Sequence, residues 1–352
     1  MKRRTIQKLK IFTIQIALIV IVAAISLFSK DSAEETMAQE EMETIENEES
    51  NDNDHSNSNS NSNDLDNVVE TEEDKEEKDV IINVPVVVAT SDVNIRDNIN
   101  GNILGVLPEG KDLELVEKVD DTHYKVLYYG ETAYVSANYV TESSILDINK
   151  DIIKMFYATE DKTLYIPGDL SETGEDEYKN LPKYECLEVY EEIDDYYLVQ
   201  TSDYVGYVTK DNLQELQGTF VNLDISDQNL KLYEDNKIIL EAPVITGKPK
   251  TPTRIGSFQI HDITYNRYLV GINDSYRAYV DVMMKFDKNI GLHDAEYHTD
   301  ENGKHHGWRE ASQMGGSTYI TDGSHGCVNM KHDDAMAVSK HVKLKTQVIV
   351  QE

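Results

Sequence analysis

The chain has 352 residues, enough for two or three domains, and carries a formal net charge of −33. Acidic residues outnumber basic ones 66 to 33, which excludes nucleic acid as a partner, since that role needs clustered Lys and Arg. Cys186 and Cys327 are too few for a disulfide framework.

Residues 1–10 form a basic tail with Lys2, Arg3, Arg4, Lys8 and Lys10. Residues 11–28 are apolar except for Thr13, Gln15 and Ser26. That run suits one transmembrane helix, which needs ~20 residues. The basic flank stays inside, so the expectation is a single-pass cell-membrane protein whose remaining residues face outward. A cleaved signal peptide is the rival, but Ser26-Leu27-Phe28 offers no small-x-small site. Residues 29–80 are Glu, Asp, Ser and Asn with almost no aromatic content, and hold more than half of the negative excess. Such a segment buries too little apolar surface to offset its ordering entropy, which predicts a disordered acidic linker.

From 81 to 142 the pattern changes to short strands. Val86–Val88, Val93–Arg96 and Leu113–Val116 are separated by Asn100-Gly101 and Pro108-Glu109-Gly110 turns. Tyr124-Lys125-Val126, Gly130, Ala133-Tyr134-Val135 and Tyr139-Val140 follow. Residues 151–217 read as a degenerate second copy. Tyr197-Leu198-Val199 and Gly206-Tyr207-Val208 fall without a gap on Tyr124-Lys125-Val126 and Ala133-Tyr134-Val135, and Leu213 on Val140. Asn94-Ile95-Arg96 finds no counterpart. Asn94-Ile95-Arg96 and Ala133-Tyr134-Val135 resemble the bacterial SH3-type (SH3b) barrel. The resemblance implies two small barrels that bind the cell wall or act as spacers.

Residues 219–352 read as a β-rich domain. Lys231–Tyr233 and Ile238–Val244 flank the Glu234–Lys237 turn. Val244–Gly247, Gly256–Ile260, Val280–Phe286 and Ile290–Ala295 are further strand segments. Asp333-Asp334 are placed to cap a helix running to about Val342. Within this third, Thr321–Met330 contains Ser324-His325-Gly326-Cys327-Val328-Asn329. A thiol attacks carbonyls as the thiolate, which a neighbouring histidine generates.

Those six residues resemble the signature of the L,D-transpeptidases (YkuD-type domain). Gly247–Thr253, Gly256-Ser257-Phe258, Gly291–Ala295 and Gly315–Tyr319 extend the resemblance over 219–352. It implies a mainly β protein, with two SH3-like barrels ahead of a peptidoglycan L,D-transpeptidase domain. The implied reaction forms 3–3 cross-links between stem peptides through a cysteine thioester, without cofactor or metal. Carbapenem-type β-lactams are the implied inhibitors. Cys327 takes the nucleophile's position and His293 the base's, with the Asp294 carbonyl orienting it. Backbone N–H groups near Gly326 and Cys327 are the oxyanion donors. Ser324, His325 and Asn329 shape the pocket, and Tyr319 and Trp308 are candidate lining residues. Counted back from Ser324, His306 fits the family's usual spacing better, because residues 297–307 read as an insertion. His293 is preferred since it ends an apolar strand. Two other classes stand beside this reading. A zinc-dependent cell-wall peptidase would draw ligands from His293, His298, His305, His306, His325, His332 and Asp294. A non-catalytic wall-binding scaffold would need no intact Cys327 and His293.

Overall fold

A computed structural model describes residues 80–166, 177–271 and 275–352, all within one unit. The basic tail, the apolar run 11–28 and the acidic linker lie outside the described residues. Among the described residues no helix is long and apolar enough to cross a membrane.

Period-two alternation builds the first sheet. Its strands are β1 (Ile81–Ala89), β2 (Val93–Arg96), β3 (Ile103–Leu107), β4 (Asp112–Lys118), β5 (His123–Tyr128), β6 (Glu131–Ser136) and β7 (Val140–Ile148). They run in the order β3-β2-β6-β5-β4-β1-β7. In β2, Val93 and Ile95 point into the core while Asn94 is exposed, as a half-buried strand requires. Ile95, Leu107, Leu113, Val126 and Val135 fill that core. β7 continues past 142 because it pairs with β1 along nine residues, from Val140↔Ala89 to Ile148↔Ile81.

The second sheet repeats this plan strand for strand. β8 (Lys154–Ala158), β9 (Lys162–Ile166), β10 (Glu177–Leu181), β11 (Cys186–Ile193), β12 (Tyr196–Gln200), β13 (Val205–Thr209) and β14 (Leu213–Leu216) run β10-β9-β13-β12-β11-β8-β14. The registers agree as well. Tyr124↔Val135 and Val126↔Ala133 in the first copy become Tyr197↔Val208 and Val199↔Gly206 in the second. The missing counterpart of Asn94-Ile95-Arg96 is Thr163-Leu164-Tyr165. Arg96 bridges Tyr134, and Tyr165 bridges the equivalent Tyr207. Only the buried apolar position survives, Leu164 for Ile95, so identity at the flanking residues is lost.

The third sheet carries the site. β15 (Thr219–Asp224), β16 (Asn229–Glu234) and β17 (Lys237–Ile245) form a meander, followed by β18 (Gly256–Gln259), β19 (Asp262–Val270), β20 (Arg277–Asp287) and β21 (Ile290–Asp294). A small hairpin, β22 (His298–Thr299) and β23 (His305–His306), precedes β24 (Val328–Met330) and β25 (Gln347–Gln351). The nine-stranded order is β18-β25-β15-β16-β17-β24-β21-β20-β19. The pairs β15·β25 and β21·β24 are parallel. The helix His332–His341 buries Ala335 and Val338 in this core. Its N-cap is Lys331, without a side-chain cap bond. Asp333 and Asp334 stand in its first turn instead, where they favour the positive end of the helix dipole.

The three units share buried surface. Ile148 of β7 packs with Tyr190, Leu198 and Val205 of the second sheet. Met155, Cys186 and Leu216 pack with Phe220, Tyr233 and Ile349 of the third. Phe220 and Tyr233 stack at 4.6 Å with their rings 7° apart. Polar contacts close the seam. The Tyr233 hydroxyl donates to Glu188 at 2.8 Å, and the Cys186 N–H donates to the Gln351 side-chain oxygen at 3.0 Å. Lys111 of the first unit forms an ion pair with Asp227 of the third.

Candidate active site

Cys327 is half-buried, at the entry to β24, immediately after a turn that only glycine accommodates comfortably. Gly326 has φ +114°, and a Cβ there would stand 2.5 Å from the Ile290 Cδ1. The Ser324 hydroxyl braces the turn from inside: it donates to the Cys327 carbonyl and accepts from the Gly326 N–H at 2.9 Å. From outside, residues 247–253 hold it. Thr253 Oγ1 accepts from the Gly247 N–H at 2.9 Å and donates to the Gly326 carbonyl at 2.8 Å. The Ser324 carbonyl accepts from the Lys248 N–H and from Thr251 Oγ1.

Parallel pairing of β21 with β24 sets His293 opposite Asn329, two residues beyond the thiol. His293 is 2% exposed. Its Nδ1 lies 2.9 Å from the Asp294 carbonyl, an acceptor only, so Nδ1 carries a proton and Nε2 is left for the thiol. The Asp294 carboxylate accepts from the Val282 N–H at 2.9 Å and so ties β21 to β20. With the His293 ring neutral, Asn329 satisfies its neighbours when its amide NH₂ donates to His293 Nε2 at 3.2 Å and its oxygen accepts from Arg309 Nε at 2.7 Å; a proton on Nε2 replaces the first of these bonds.

Burial alone would push the Cys327 thiol pKa up. The hydrogen bond and positive charge of His293, with the Gly291 N–H, outweigh it, and the net direction is down. For His293 burial pushes the pKa down, while the Cys327 hydrogen bond and charge and the Asp294 carbonyl reverse it, and the net direction is up. The thiol donates to the Asn289 carbonyl at 3.9 Å, and opposite shifts in the neighbouring thiol and imidazole favour thiolate and imidazolium together. The Gly326 N–H, expected to face an oxyanion, is engaged by Ser324 instead. The Cys327 N–H takes no acceptor among the described residues.

The thiol opens into a cleft of about 630 Å³. Trp308 lines it, with its ring 5.8 Å from that of His293, and His325 lines it while stacking on Tyr276 at 6.1 Å. Ser324 and Asn329 also line it. Tyr319 does not. It sits on the short helix Thr318–Asp322 and packs against the small core of Ile245, Ala295 and Met314, so its expected pocket role gives way to packing. Lys248, Arg277, Lys304 and Arg309 give the cleft wall a basic character that the acidic composition of the chain conceals.

The remaining histidines disperse. His306 is buried on the insertion hairpin, with Nε2 3.0 Å from Asp300 Oδ2 and its ring 4.3 Å from that of Tyr279. His305 pairs with Thr299 at 3.0 Å. His298 and His332 converge on Asp281, a residue that sequence reasoning passed over. Of the seven candidate zinc ligands only His298 and His332 come together among the described residues, and His293, Asp294, His305, His306 and His325 stand outside that cluster. Neither Cys186 nor Cys327 is joined in a disulfide among the described residues.

No curated protein sequence matches the chain. An Enterococcus faecium L,D-transpeptidase structure is 28% identical, covering 39% of this chain and 50% of that one, with a TM-score of 0.33. The E. faecium catalytic domain acylated by ertapenem is 28% identical, covering 39% of this chain and 100% of that one, with a TM-score of 0.32. An L,D-transpeptidase from Mycobacterium smegmatis is 13% identical, covering 68% of this chain and 82% of that one, with a TM-score of 0.32. The chain spans about half the length of the longer E. faecium structure. The family model of the L,D-transpeptidase catalytic domain (YkuD) matches residues 218–350, the segment that forms the third sheet and holds Cys327 and His293, and those residues are on that match an L,D-transpeptidase catalytic domain.

Proposed function

We propose that the chain is a peptidoglycan L,D-transpeptidase that forms 3–3 cross-links through a Cys327 thioester. The observation that carries the reading is the buried His293, fixed by the Asp294 carbonyl and lining the same cleft as the Cys327 thiol. Cys327 Sγ attacks the carbonyl carbon of the third stem residue as the thiolate. The bond from that carbon to the terminal D-residue's nitrogen breaks, and the imidazolium of His293 protonates the leaving amine. An amine of a neighbouring stem then attacks the thioester, His293 takes its proton, and the sulfur leaves as thiolate. The Cys327 N–H is the donor left for the tetrahedral oxyanion, an interaction worth about 3–4 kcal/mol in such sites. Basic groups at Lys248, Arg277 and Lys304 suit the carboxylates of stem peptides.

The same sulfur is the expected target of carbapenem-type β-lactams, as the ertapenem-acylated E. faecium domain suggests. The basic tail and apolar run support a single-pass membrane anchor with the catalytic domain outside. The two repeated sheets support SH3-like units that position it at the wall. Protease added to intact cells should then cut within 29–80, and complete protection would contradict the placement. The chemistry is tested by incubating the protein with a tetrapeptide stem and an acceptor amine. Mass spectrometry should find an acyl adduct on Cys327 and a cross-linked product, both lost in Cys327→Ala. Turnover retained in Cys327→Ala would end this reading.

A further inference from the structure

Outside the thiol–imidazole pair, Asp281 of β20, His298 of β22 and His332 of the helix His332–His341 bring one ligand atom each within 4.8 Å of the others. Their side chains are 18%, 15% and 26% exposed, so they are shielded but reachable. Asp281 Oδ2 lies 2.7 Å from His298 Nε2 and 3.3 Å from His332 Nε2. The two imidazoles stack at 3.9 Å with their planes 28° apart.

The outer nitrogen of each ring decides what the inner one offers. His298 Nδ1 lies 2.9 Å from the Glu296 carbonyl, and His332 Nδ1 lies 3.1 Å from Asp333 Oδ1. Both partners accept only, so each Nδ1 carries a proton. In the neutral rings each Nε2 then presents a lone pair, and both lone pairs face the Asp281 carboxylate. Three acceptors converge with no donor between them. One proton, on His298 Nε2, joins that ring to Asp281 at 2.7 Å but leaves His332 Nε2 unmet against the carboxylate, and protonating both rings stacks two cations at 3.9 Å. A bound cation satisfies all three groups at once. Metal-binding histidines commonly donate their other ring N–H to a carbonyl or carboxylate, the arrangement both rings have here. Glu296, which accepts from the His332 N–H at 3.0 Å, adds further negative charge nearby.

We propose that Asp281, His298 and His332 bind a divalent transition-metal ion of the zinc class and thereby fasten the insertion hairpin to the sheet. Two imidazole nitrogens and one carboxylate oxygen suit such an ion, and a fourth position stays open for water. Metal–ligand bonds of 2.0–2.1 Å put tetrahedral ligand atoms about 3.3 Å apart, so small side-chain shifts close the site. The ion would join three segments around the cleft. Asp281 lies on β20, which pairs with β21 of His293. His298 pairs with His306, whose strand lines the cleft with Lys304 and His305. His332 follows β24 directly. The site acts on the cleft wall and takes no part in acyl transfer, so it stands independently of the transpeptidase reading.

The full chain, stripped with a chelator, is titrated with zinc chloride by calorimetry and with cobalt(II) followed by visible absorption. One equivalent should bind, and cobalt(II) should show the intense bands of a low-coordinate site. The double variant His298→Gln/His332→Gln should lose that equivalent, and Asp333→Asn should weaken binding about tenfold through the outer hydrogen bond. Cys327→Ala should retain it. Circular dichroism of metal-free protein should match the parent in each variant. Should the double variant unfold, Asp281→Asn, which preserves shape, takes its place and should weaken binding at least tenfold. Failure of the stripped parent to bind, full binding in a folded double variant or in Asp281→Asn, or loss of binding in Cys327→Ala would each overturn the proposal.

Discussion

Cys327 and His293 shift each other's proton affinity, and that coupling is measurable residue by residue. With the thiol pKa lowered by His293 against the upward push of burial, alkylation of Cys327 by iodoacetamide should persist to lower pH than for a free thiol. In His293→Ala only burial and backbone contacts remain, so the alkylation midpoint should move to higher pH. Turnover in that variant should fall by about 10²–10⁴-fold, the usual contribution of a positioned base. His306→Ala should leave the dyad active. A larger loss in His306→Ala than in His293→Ala would reverse the assignment of the base. The local run Gly291-Leu292-His293-Asp294-Ala295 is what singles out His293 in the sequence, whereas residue counting favours His306. Asp281 was illegible because its importance lies in two histidines from distant segments. Tyr319 was misread for a related reason: an aromatic beside a motif looks like a pocket residue, and only its packing against Ile245 and Met314 tells otherwise.

The elements around the thiol form a brace whose parts are individually breakable. Thr253→Val keeps shape but removes the bonds to the Gly247 N–H and the Gly326 carbonyl, both buried. Each unmet buried group costs about 1–3 kcal/mol, so the melting temperature should drop together with activity. Unchanged melting and activity would show that residues 247–253 do not support the turn. Gly326→Ala should be worse for activity, since it strains a left-handed backbone and drives a methyl group into Ile290. The repeat of the two small sheets was visible where core-facing residues alternate, at Tyr124–Val135 and Tyr197–Val208. It was hidden at Thr163-Leu164-Tyr165 because strand pairing constrains backbone and burial, not the identity of outward residues.

At the scale of the whole molecule the seam between the second and third sheets governs stability. Phe220, Tyr233 and Ile349 belong to the third sheet yet are covered by Met155, Cys186 and Leu216. A fragment of residues 219–352 should therefore melt lower, and aggregate more readily, than one of residues 80–352. Equal melting of the two would show that the seam contributes nothing. Glu185 adds a pH dependence. Burial, with help from Asp224 and Asp203, raises its pKa from 4.5 to about 8. The unfolded chain releases that proton above about pH 4.5, and the folded chain keeps it until about pH 8. Stability from this group is full below the first value and falls as pH rises to the second. At ~1.4 kcal/mol per pH unit of difference, the loss is on the order of a few kcal/mol. Glu185→Gln should flatten the decline of melting temperature across that window, and an unaltered slope would assign the decline elsewhere.

The parallel pairing of β21 and β24 has a practical consequence. Parallel neighbours must be joined by a long excursion away from the sheet, and the two strand ends stay fixed whatever that excursion contains. Thiol and imidazole are therefore positioned by hydrogen bonds between strands and by the braced turn at Ser324–Gly326, and not by the far end of the tether between them. The exposed tip of the hairpin, Glu301-Asn302-Gly303, which lines neither the cleft nor the Asp281–His298–His332 cluster, is thus a permissive graft point. A reporter peptide or an epitope spliced there would ride beside the cleft while Cys327 and His293 keep their places.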